Sequence, residues 1–133
     1  MSKKVRDIMV RDVVTVNGMA TVREALQVMK DRRIKSMVVE RRDKDDAYGI
    51  VTLFDIVNKV ITGKRSLDMT NVFDIMSKPL LTVSEGLQVK YAARLMSQFD
   101  VKRAVVIDSG ELIGIVSMED IVYSMLDEPS DGL

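Results

Sequence analysis

The sequence predicts a mixed α/β fold (α+β), in which two β-α-β-β-α units pack together with pseudo-two-fold symmetry. One observation behind this is an internal repeat that covers nearly the whole chain. Another is that each copy alternates short β-branched segments with segments of helical apolar spacing. The chain has 133 residues, 47% hydrophobic and 30% charged, which suits one ordinary domain or two very small ones. A copy of about 60 residues is marginal alone, so we expect the two to pack as one module.

The repeat is collinear over most of the chain. Val5–Met9 reads Val-Arg-Asp-Ile-Met and returns at Val72–Met76 as Val-Phe-Asp-Ile-Met, 67 positions later. Holding this offset over residues 5–40 gives twelve identities in 36 positions. We therefore divide the chain into a first half, residues 1–66, and a second half, residues 67–133, with residues 62–70 as the linker.

The end of each half carries a second match. Gly49–Val57 matches Gly114–Val122 at an offset of 65, so the first half has two extra residues before this point. They fall in the charged run at residues 41–46, which we interpret as an exposed hairpin loop. After Leu126 the chain has no periodicity, and we expect a loose tail.

Both halves have the same predicted order of elements. An opening helical turn or extended entry precedes a β-branched strand, and a helix follows with apolar residues at i, i+3, i+4 and i+7. Thr21 is a suitable N-cap for the first of these helices, whereas the second has no equally good cap. A two-stranded hairpin and a closing helix complete each half. The predicted ranges in the first half are 7–9, 13–16, a helix from 22, 36–41, 48–52 and 53–61; in the second they are 74–76, 80–83, a helix from 89, 103–108, 112–117 and 118–126.

Composition excludes several classes of chemistry. The chain has neither Cys nor His, so disulfides, thiol or imidazole catalysis and an ordinary zinc site are excluded. Twenty basic and twenty acidic residues give no net charge, and no basic stripe favours nucleic acid or an anionic membrane. No uncharged stretch approaches the ~18 residues that a membrane span needs, and no signal-like segment follows the N-terminus. We expect a cytoplasmic protein with no catalytic residues, no metal and no membrane segment.

The most informative motif is Gly-x-x-Thr/Ser-x-x-Asp, where a strand runs into a closing helix. It places Thr52 and Ser117 at the N-cap, with Asp55 and Asp120 three residues later. This spacing is typical of a capping box, in which hydroxyl and carboxylate satisfy the amides of the first turn. It also suits a helix N-terminus that faces a cleft, with phosphate near the amides and a ribose on the carboxylate. The two interpretations are compatible.

The ordered set of motifs, present twice, resembles a tandem pair of cystathionine-β-synthase (CBS) domains, also called a Bateman module. Each half opens with Asp-Ile-Met, continues after four residues with Val/Leu-Thr-Val, and ends with the Gly-x-x-Thr/Ser-x-x-Asp motif. The resemblance covers residues 5–126 and implies a stand-alone pair that binds adenosyl ligands in clefts between the CBS units. It implies ribose contacts from Asp55 and Asp120, and phosphate contacts from Thr52 and Ser117.

The resemblance also assigns the remaining contacts of such a ligand. A basic residue just before the second strand touches phosphate in similar proteins, which favours Arg103 over Ser36 at the matching place. Its neighbours are further phosphate candidates, although basic residues at a helix C-terminus also simply complement the helix dipole: Lys102, Lys35 and Arg33. The base slot is assigned to the stretch after Ile-Met in each half, with the candidates Val10, Val13, Ser77 and Leu80.

We expect a non-catalytic regulatory module that binds AMP, ADP, ATP or S-adenosylmethionine and signals energy or metabolite status by conformational change. No cofactor is expected beyond this regulatory ligand. The closing helices carry apolar residues that favour a homodimer, namely Ile56, Val57, Val60, Ile61, Ile121, Val122, Met125 and Leu126. The alternative is a purely structural dimerisation or protein-interaction module without a ligand. The effector protein is not identified by the sequence.

Overall fold

The structure, a computed structural model, describes residues 3–78 and 80–127. The tail expected after Leu126 lies outside the described residues except for Asp127, which ends a 3₁₀ turn at Met125–Asp127. Within the described ranges, no helix is long and apolar enough to cross a membrane.

The chain forms two compact units whose boundaries differ from those of the sequence halves. One unit, here called the split unit, joins residues 3–13 to residues 81–127; the other, the continuous unit, comprises residues 14–78 and 80. The opening helix α1, Val5–Ile8, therefore belongs with the second half of the chain. The Val5 amide donates to the Leu87 carbonyl at 2.8 Å. Each half thus contributes its opening segment to the unit built mainly from the other half.

The continuous unit is a three-stranded sheet with helices. Its strand order is β1-β2-β3, with β1 parallel to β2 and β2 antiparallel to β3. The bounds are β1 Thr15–Val16, α2 Val22–Arg32, β2 Ser36–Val39, β3 Gly49–Thr52, α3 Leu53–Ile56 with a π-helical continuation Val57–Ile61, and a 3₁₀ turn Val72–Asp74. Thr21 caps α2 as predicted, since its hydroxyl accepts from the Glu24 amide at 3.1 Å. The apolar residues spaced along α2, Val22, Ala25 and Met29, are buried in the core of this unit.

The split unit repeats this plan. Its strand order is β4-β5-β6, with β4 parallel to β5 and β5 antiparallel to β6. The bounds are β4 Thr82–Val83, α4 Val89–Gln98, β5 Arg103–Asp108, β6 Glu111–Ser117 and α5 Met118–Ser124, before the 3₁₀ turn already described. Gln88 precedes α4 without a side-chain cap, as the sequence indicated. The hairpin turns at Ser109 and Gly110, both with positive φ, which matches a tight two-residue turn.

Two glycines allow the opening segments to reach these sheets. Val10 and Ile115 exchange two backbone hydrogen bonds of 2.9 Å beside Gly114, and Ser77 and Ile50 do the same beside Gly49. A Cβ on Gly114 would lie 2.7 Å from the Met9 sulfur and 3.1 Å from the Val10 carbonyl oxygen. The glycine that opens each Gly-x-x-Thr/Ser-x-x-Asp motif therefore leaves room for the segment that crosses it.

The observed elements differ from the predicted ones mainly in length. The strands predicted at residues 13–16 and 80–83 shorten to two residues each, and the segments before them pair elsewhere, Val10 with Ile115 of β6 and Ser77 with Ile50 of β3. The closing helix predicted at 53–61 becomes α-helical only to Ile56 before the π-helical turn. The opening segments, for which helical and extended forms were both open, contain helical turns that begin two residues earlier than the predicted ranges: α1 and the 3₁₀ turn Val72–Asp74.

Candidate functional site

Both Gly-x-x-Thr/Ser-x-x-Asp motifs form capping boxes. In the continuous unit, Asp55 Oδ2 accepts from the Thr52 amide at 2.9 Å and from the Thr52 hydroxyl at 3.0 Å. The Thr52 hydroxyl accepts in turn from the Asp55 amide at 3.1 Å. In the split unit, Asp120 Oδ2 accepts from the Ser117 amide at 2.8 Å, and Ser117 Oγ accepts from the Asp120 amide at 3.1 Å. The local spacing is therefore used structurally in both units.

The capping leaves few helix amides for a phosphate. The first helical amides, of Leu53 and Met118, donate to the carbonyls of Lys35 and Lys102 at 3.0 Å each. With the N-cap and N3 amides used by the capping box, only the N2 amides of Phe54 and Glu119 lack a partner within residues 3–78 and 80–127. A phosphate at either site would therefore depend on side-chain cations more than on the helix itself.

The second carboxylate oxygen distinguishes the two sites. In the continuous unit, Asp55 Oδ1 lies 3.5 Å from the Lys59 ammonium, which also donates to the Ile75 carbonyl at 2.9 Å. In the split unit, Ser124 occupies the position that corresponds to Lys59, and its hydroxyl donates to the Ile121 carbonyl at 2.6 Å. Asp120 Oδ1 has no partner in the described part of the chain. Asp55 is buried and paired, whereas Asp120 is half-buried and keeps one acceptor oxygen available.

The strand register brings Arg103 to the Asp120 site. Arg103 stands directly opposite Ser117 in the antiparallel pair β5–β6, and Ser36 stands opposite Thr52 in β2–β3. Side chains of directly opposed residues lie on the same face of a sheet, with Cβ atoms about 5 Å apart. Arg103, Ser117 and Asp120 therefore share one end of the split unit's sheet. The matching place in the continuous unit holds only a serine hydroxyl.

The other candidates for phosphate binding differ in position. Lys35 and Lys102 both precede the second strand of their units, with exposed side chains and carbonyls that cap the closing helices. Arg33 is exposed at the C-cap of α2 with φ 56°, a left-handed conformation that ends the helix. It lies at the same end of β2 as Ser36, in the continuous unit.

The base-slot candidates are divided between the two units. Val10 is 45% exposed and pairs with β6 of the split unit, and half-buried Val13 ends the same opening segment. Ser77 is exposed and pairs with β3 of the continuous unit, where the amide of buried Leu80 donates to the Tyr48 carbonyl at 3.1 Å. Pro79, between them, lies outside the described residues. Each unit therefore contains one capping box together with an opening segment from the opposite half of the chain.

Sequence reasoning missed Lys59. It stands four residues after Asp55 in the closing helix, the spacing at which an acid and a base meet on one helix face. The second half has Ser124 at the matching position, so a comparison of the two copies would have shown that only Asp55 has a lysine four residues later.

Comparison with known proteins identifies the family. The model of the CBS domain matches residues 5–62 and again residues 72–127. The chain therefore belongs to the CBS-domain family and contains a tandem pair of these domains.

Individual relatives agree with this assignment. A protein of Methanopyrus kandleri is 37% identical over 122 residues, which is 91% of this chain and 62% of that protein. The hexameric CBS-CP12 protein from bloom-forming cyanobacteria superposes with a TM-score of 0.88 at 39% identity, covering 98% of this chain and 77% of that one. A CBS domain pair in complex with 5′-methylthioadenosine and S-adenosyl-L-methionine has a TM-score of 0.81 at 22% identity, covering 97% of this chain and all of that one. The chain spans less than two thirds of the Methanopyrus relative.

Proposed function

We propose that this CBS pair is a non-catalytic regulatory module that binds an adenosyl ligand, and that its principal nucleotide site is the one at Asp120. The observation that carries the proposal is the available Oδ1 of Asp120. One carboxylate oxygen is held by the Ser117 amide, so the side chain is oriented before any ligand arrives. The other oxygen can accept hydrogen bonds from ribose hydroxyls without first breaking an ion pair.

The surroundings of Asp120 suit the rest of a nucleotide. The guanidinium of Arg103, on the neighbouring strand, is a bidentate donor suited to phosphate. The exposed Val10 lies on the segment paired with Ile115 and offers an apolar side-chain contact to a base. The Asp55 site lacks an arginine at the matching place, and its carboxylate is already paired with Lys59. We therefore propose unequal affinities at the two sites.

A structure with the same fold supports adenosyl compounds as the ligand class. A protein with this fold was crystallised with two adenosyl compounds, 5′-methylthioadenosine and S-adenosyl-L-methionine. For this chain we propose AMP, ADP, ATP or S-adenosylmethionine as candidates. Ligand binding would then change the conformation that an effector protein recognises, because a ligand shifts a conformational equilibrium only through different affinities for its states.

The test compares two matched substitutions. Asp120→Asn keeps an oxygen for the Ser117 amide but replaces the available acceptor oxygen with a donor group. We expect AMP affinity, measured by calorimetry on protein freed of co-purified ligand, to fall about tenfold to a hundredfold, the size of a lost hydrogen bond to a charged group. Asp55→Asn should change the affinity of the principal site less than about threefold. Glu119→Gln, the same charge change in the first turn of α5, is the second control.

Several outcomes would contradict the proposal. Unchanged AMP affinity in Asp120→Asn, or a larger loss in Asp55→Asn, would remove Asp120 as the principal site. In a thermal-shift screen of adenosine, guanosine and S-adenosyl compounds, an adenosyl compound that binds should stabilise the protein by ~2.7 kcal/mol at a hundredfold excess over its Kd. Flat melting curves with every adenosyl compound would favour the structural alternative. Hydrogen exchange that changes only at the ligand contacts, and not in residues 62–70 or the closing helices, would count against a conformational signal.

A second candidate function is self-association through the closing helices. In each unit one side of the closing helix is buried in the unit's own core, at Ile56, Val60 and Ile121. The other side is exposed and apolar, and it consists of Leu53, Phe54, Val57 and Ile61 in the continuous unit and of Met118, Val122, Tyr123 and Leu126 in the split unit. We propose that a second copy of this chain covers these residues in a homodimer. The related CBS-CP12 protein is hexameric, which favours assembly as a property of similar chains.

Sedimentation tests the homodimer. Phe54 is 72% exposed, so Phe54→Glu should leave the fold intact and convert the dimer to monomer at micromolar concentration. Met69→Glu introduces the same charge at an 84% exposed position outside the closing helices and should leave the mass unchanged. A monomeric mass for the unmodified protein, with and without AMP, would refute the homodimer.

A further inference from the structure

The continuous unit contains a cavity of about 390 Å³ that the proposed adenosyl sites do not use. It is lined by residues at the ends of β1 and β2, among them Gly18 and Val39. The capping box of Thr52 lies at the other end of β2, where Ser36 begins the strand. Four residues of β2 separate the two places, roughly 10 Å of extended chain.

A wall of this cavity comes from the feature that breaks the internal repeat. The first half has two extra residues in the charged loop at residues 41–46, and Arg42 and Asp46 of this loop line the cavity. In the split unit, β5 and β6 are joined by the tight turn at Ser109 and Gly110, which leaves no loop to form such a wall. The insertion therefore gives the continuous unit a loop that can form this wall, and the split unit has only the tight turn at that place.

The rim of the cavity carries two cations that share one carboxylate. Lys78 Nζ lies 2.6 Å from Asp46 Oδ1, and Arg42 Nε lies 3.1 Å from Asp46 Oδ2. The Asp46 side chain is only 10% exposed and pairs with both cations, of which Lys78 is 28% and Arg42 83% exposed. The other side-chain N–H groups of Lys78 and Arg42 have no partner among the described residues.

The floor is apolar while the rim has an excess of positive charge. Val39, Met76 and Phe73 provide an aliphatic, a thioether and an aromatic surface, of which the last two favour contact with flat rings. Among the charged lining residues, Arg41, Arg42 and Lys78 outnumber Glu40 and Asp46. The volume lies within the range of small-molecule sites, which are mostly apolar with a few fixed polar groups.

We propose that this cavity is a binding site for a small organic anion with a flat apolar body, whose acidic group contacts Lys78 and Arg42. The site is separate from the adenosyl sites and goes beyond the proposed function. A CBS pair with this site would respond to a second class of ligand through one unit only.

Three probes with the same ring system test the charge preference: 1-naphthylacetate, the neutral 1-naphthylacetamide and the cationic 1-naphthylmethylamine. We expect naphthylacetate to bind the full chain at least about fivefold more tightly than the amide, and the amine to bind most weakly. In Lys78→Met the preference for the anion should disappear. Lys44→Met removes an exposed positive charge from the same loop, outside the cavity lining, and should preserve the preference.

A second variant separates loss of binding from loss of folding. Arg42→Gln, Asp46→Asn and Lys78→Met combined remove all three charges of the cluster, so none is left unpaired, and this variant should also lose the anion preference. Excess AMP should leave naphthylacetate binding unchanged. Equal binding of the three probes, no saturation at millimolar probe, an anion preference that survives both Lys78 variants, or displacement by AMP would each overturn the proposal. Failure of AMP binding alone would refute the adenosyl sites and leave this test unaffected.

Discussion

Gly114→Ala tests whether the two units depend on the exchange of opening segments. The new Cβ would lie 2.7 Å from the Met9 sulfur, 3.1 Å from Met9 Cγ and 3.1 Å from the Val10 carbonyl oxygen. The first distance is shorter than real Cβ contacts allow. Met9 belongs to the core of the split unit, so it cannot move away without disturbing buried neighbours.

The expected loss of stability follows from this geometry. Adding a methyl group to a well-packed core typically costs about 1–3 kcal/mol. A loss of about 2 kcal/mol would lower Tm by roughly 6–10 °C in a chain of this size. The corresponding Cβ on Gly49 would lie 3.0 Å from the Met76 sulfur and 3.2 Å from the Ser77 carbonyl oxygen, so Gly49→Ala should cost less.

Urea unfolding of four variants measures the effect. Gly86→Ala is the control, because its Cβ would have no atom nearer than 3.9 Å and its φ is not positive, so its stability should stay within about 0.5 kcal/mol of wild type. Met9→Ala removes the clashing side chain at a cost of about 2–5 kcal/mol. The double variant Met9→Ala/Gly114→Ala should lose less stability than the sum of the losses in the two single variants, by about 1 kcal/mol or more. Strict additivity, or a Gly114→Ala protein as stable as Gly86→Ala, would refute the steric explanation.

Arg103→Ala should lower the affinity for AMP about tenfold or more while barely changing the affinity for adenosine. Equal losses for AMP and adenosine in calorimetry would exclude a phosphate contact. Ser36→Arg should strengthen nucleotide binding at the continuous unit. Hydrogen bonds from Lys78 and from the Arg42 backbone and side chain hold the pKa of the Asp46 carboxyl well below its usual range. The stabilisation by Asp46 is therefore complete above about pH 4 and decreases as the pH falls toward the folded-state pKa. Asp46→Asn lacks this contribution, so its free energy of unfolding should fall less than that of wild type below pH 4. Thr21→Ala should lower the free energy of unfolding in urea by about 1 kcal/mol, because it removes the side-chain cap of α2. Gln88→Ala removes no such cap from α4, so equal losses in the two variants would contradict the assigned caps.

Much of the local structure was predictable because its interactions span only a few residues. The capping boxes at Thr52 and Ser117 follow from a three-residue spacing, and the cap at Thr21 follows from Glu24 three positions later. The tight turn at Gly110 follows from the short polar sequence between two β-branched segments. The doubled order of elements and the CBS family follow from the repeat itself.

The pairing of segments depended on contacts between distant residues. The sequence predicted strands starting at residues 13 and 80, but a short extended segment has no local signal for its partner. Tertiary structure pairs Val10 with Ile115 and Ser77 with Ile50, so each opening segment joins the unit built mainly from the other half of the chain. Gly114 and Gly49 were visible in the motif, but the close backbone approach that requires them appears only in the folded chain.

The differences between the two units had both local and long-range origins. The sequence by itself determined that both units carry Asp, a hydroxyl N-cap and an apolar closing helix, and that Arg103 has only Ser36 as its counterpart. The pair of Lys59 with Asp55 has a four-residue spacing that the second half lacks, so it was readable from the sequence, whereas only the tertiary structure decided that Ile56 is buried while Phe54 is exposed. The charged loop with its two extra residues became a cavity wall because Asp46 meets Lys78, 32 positions away. Such pairings follow from packing of the whole chain, because the energy of each one depends on neighbours that no local spacing specifies.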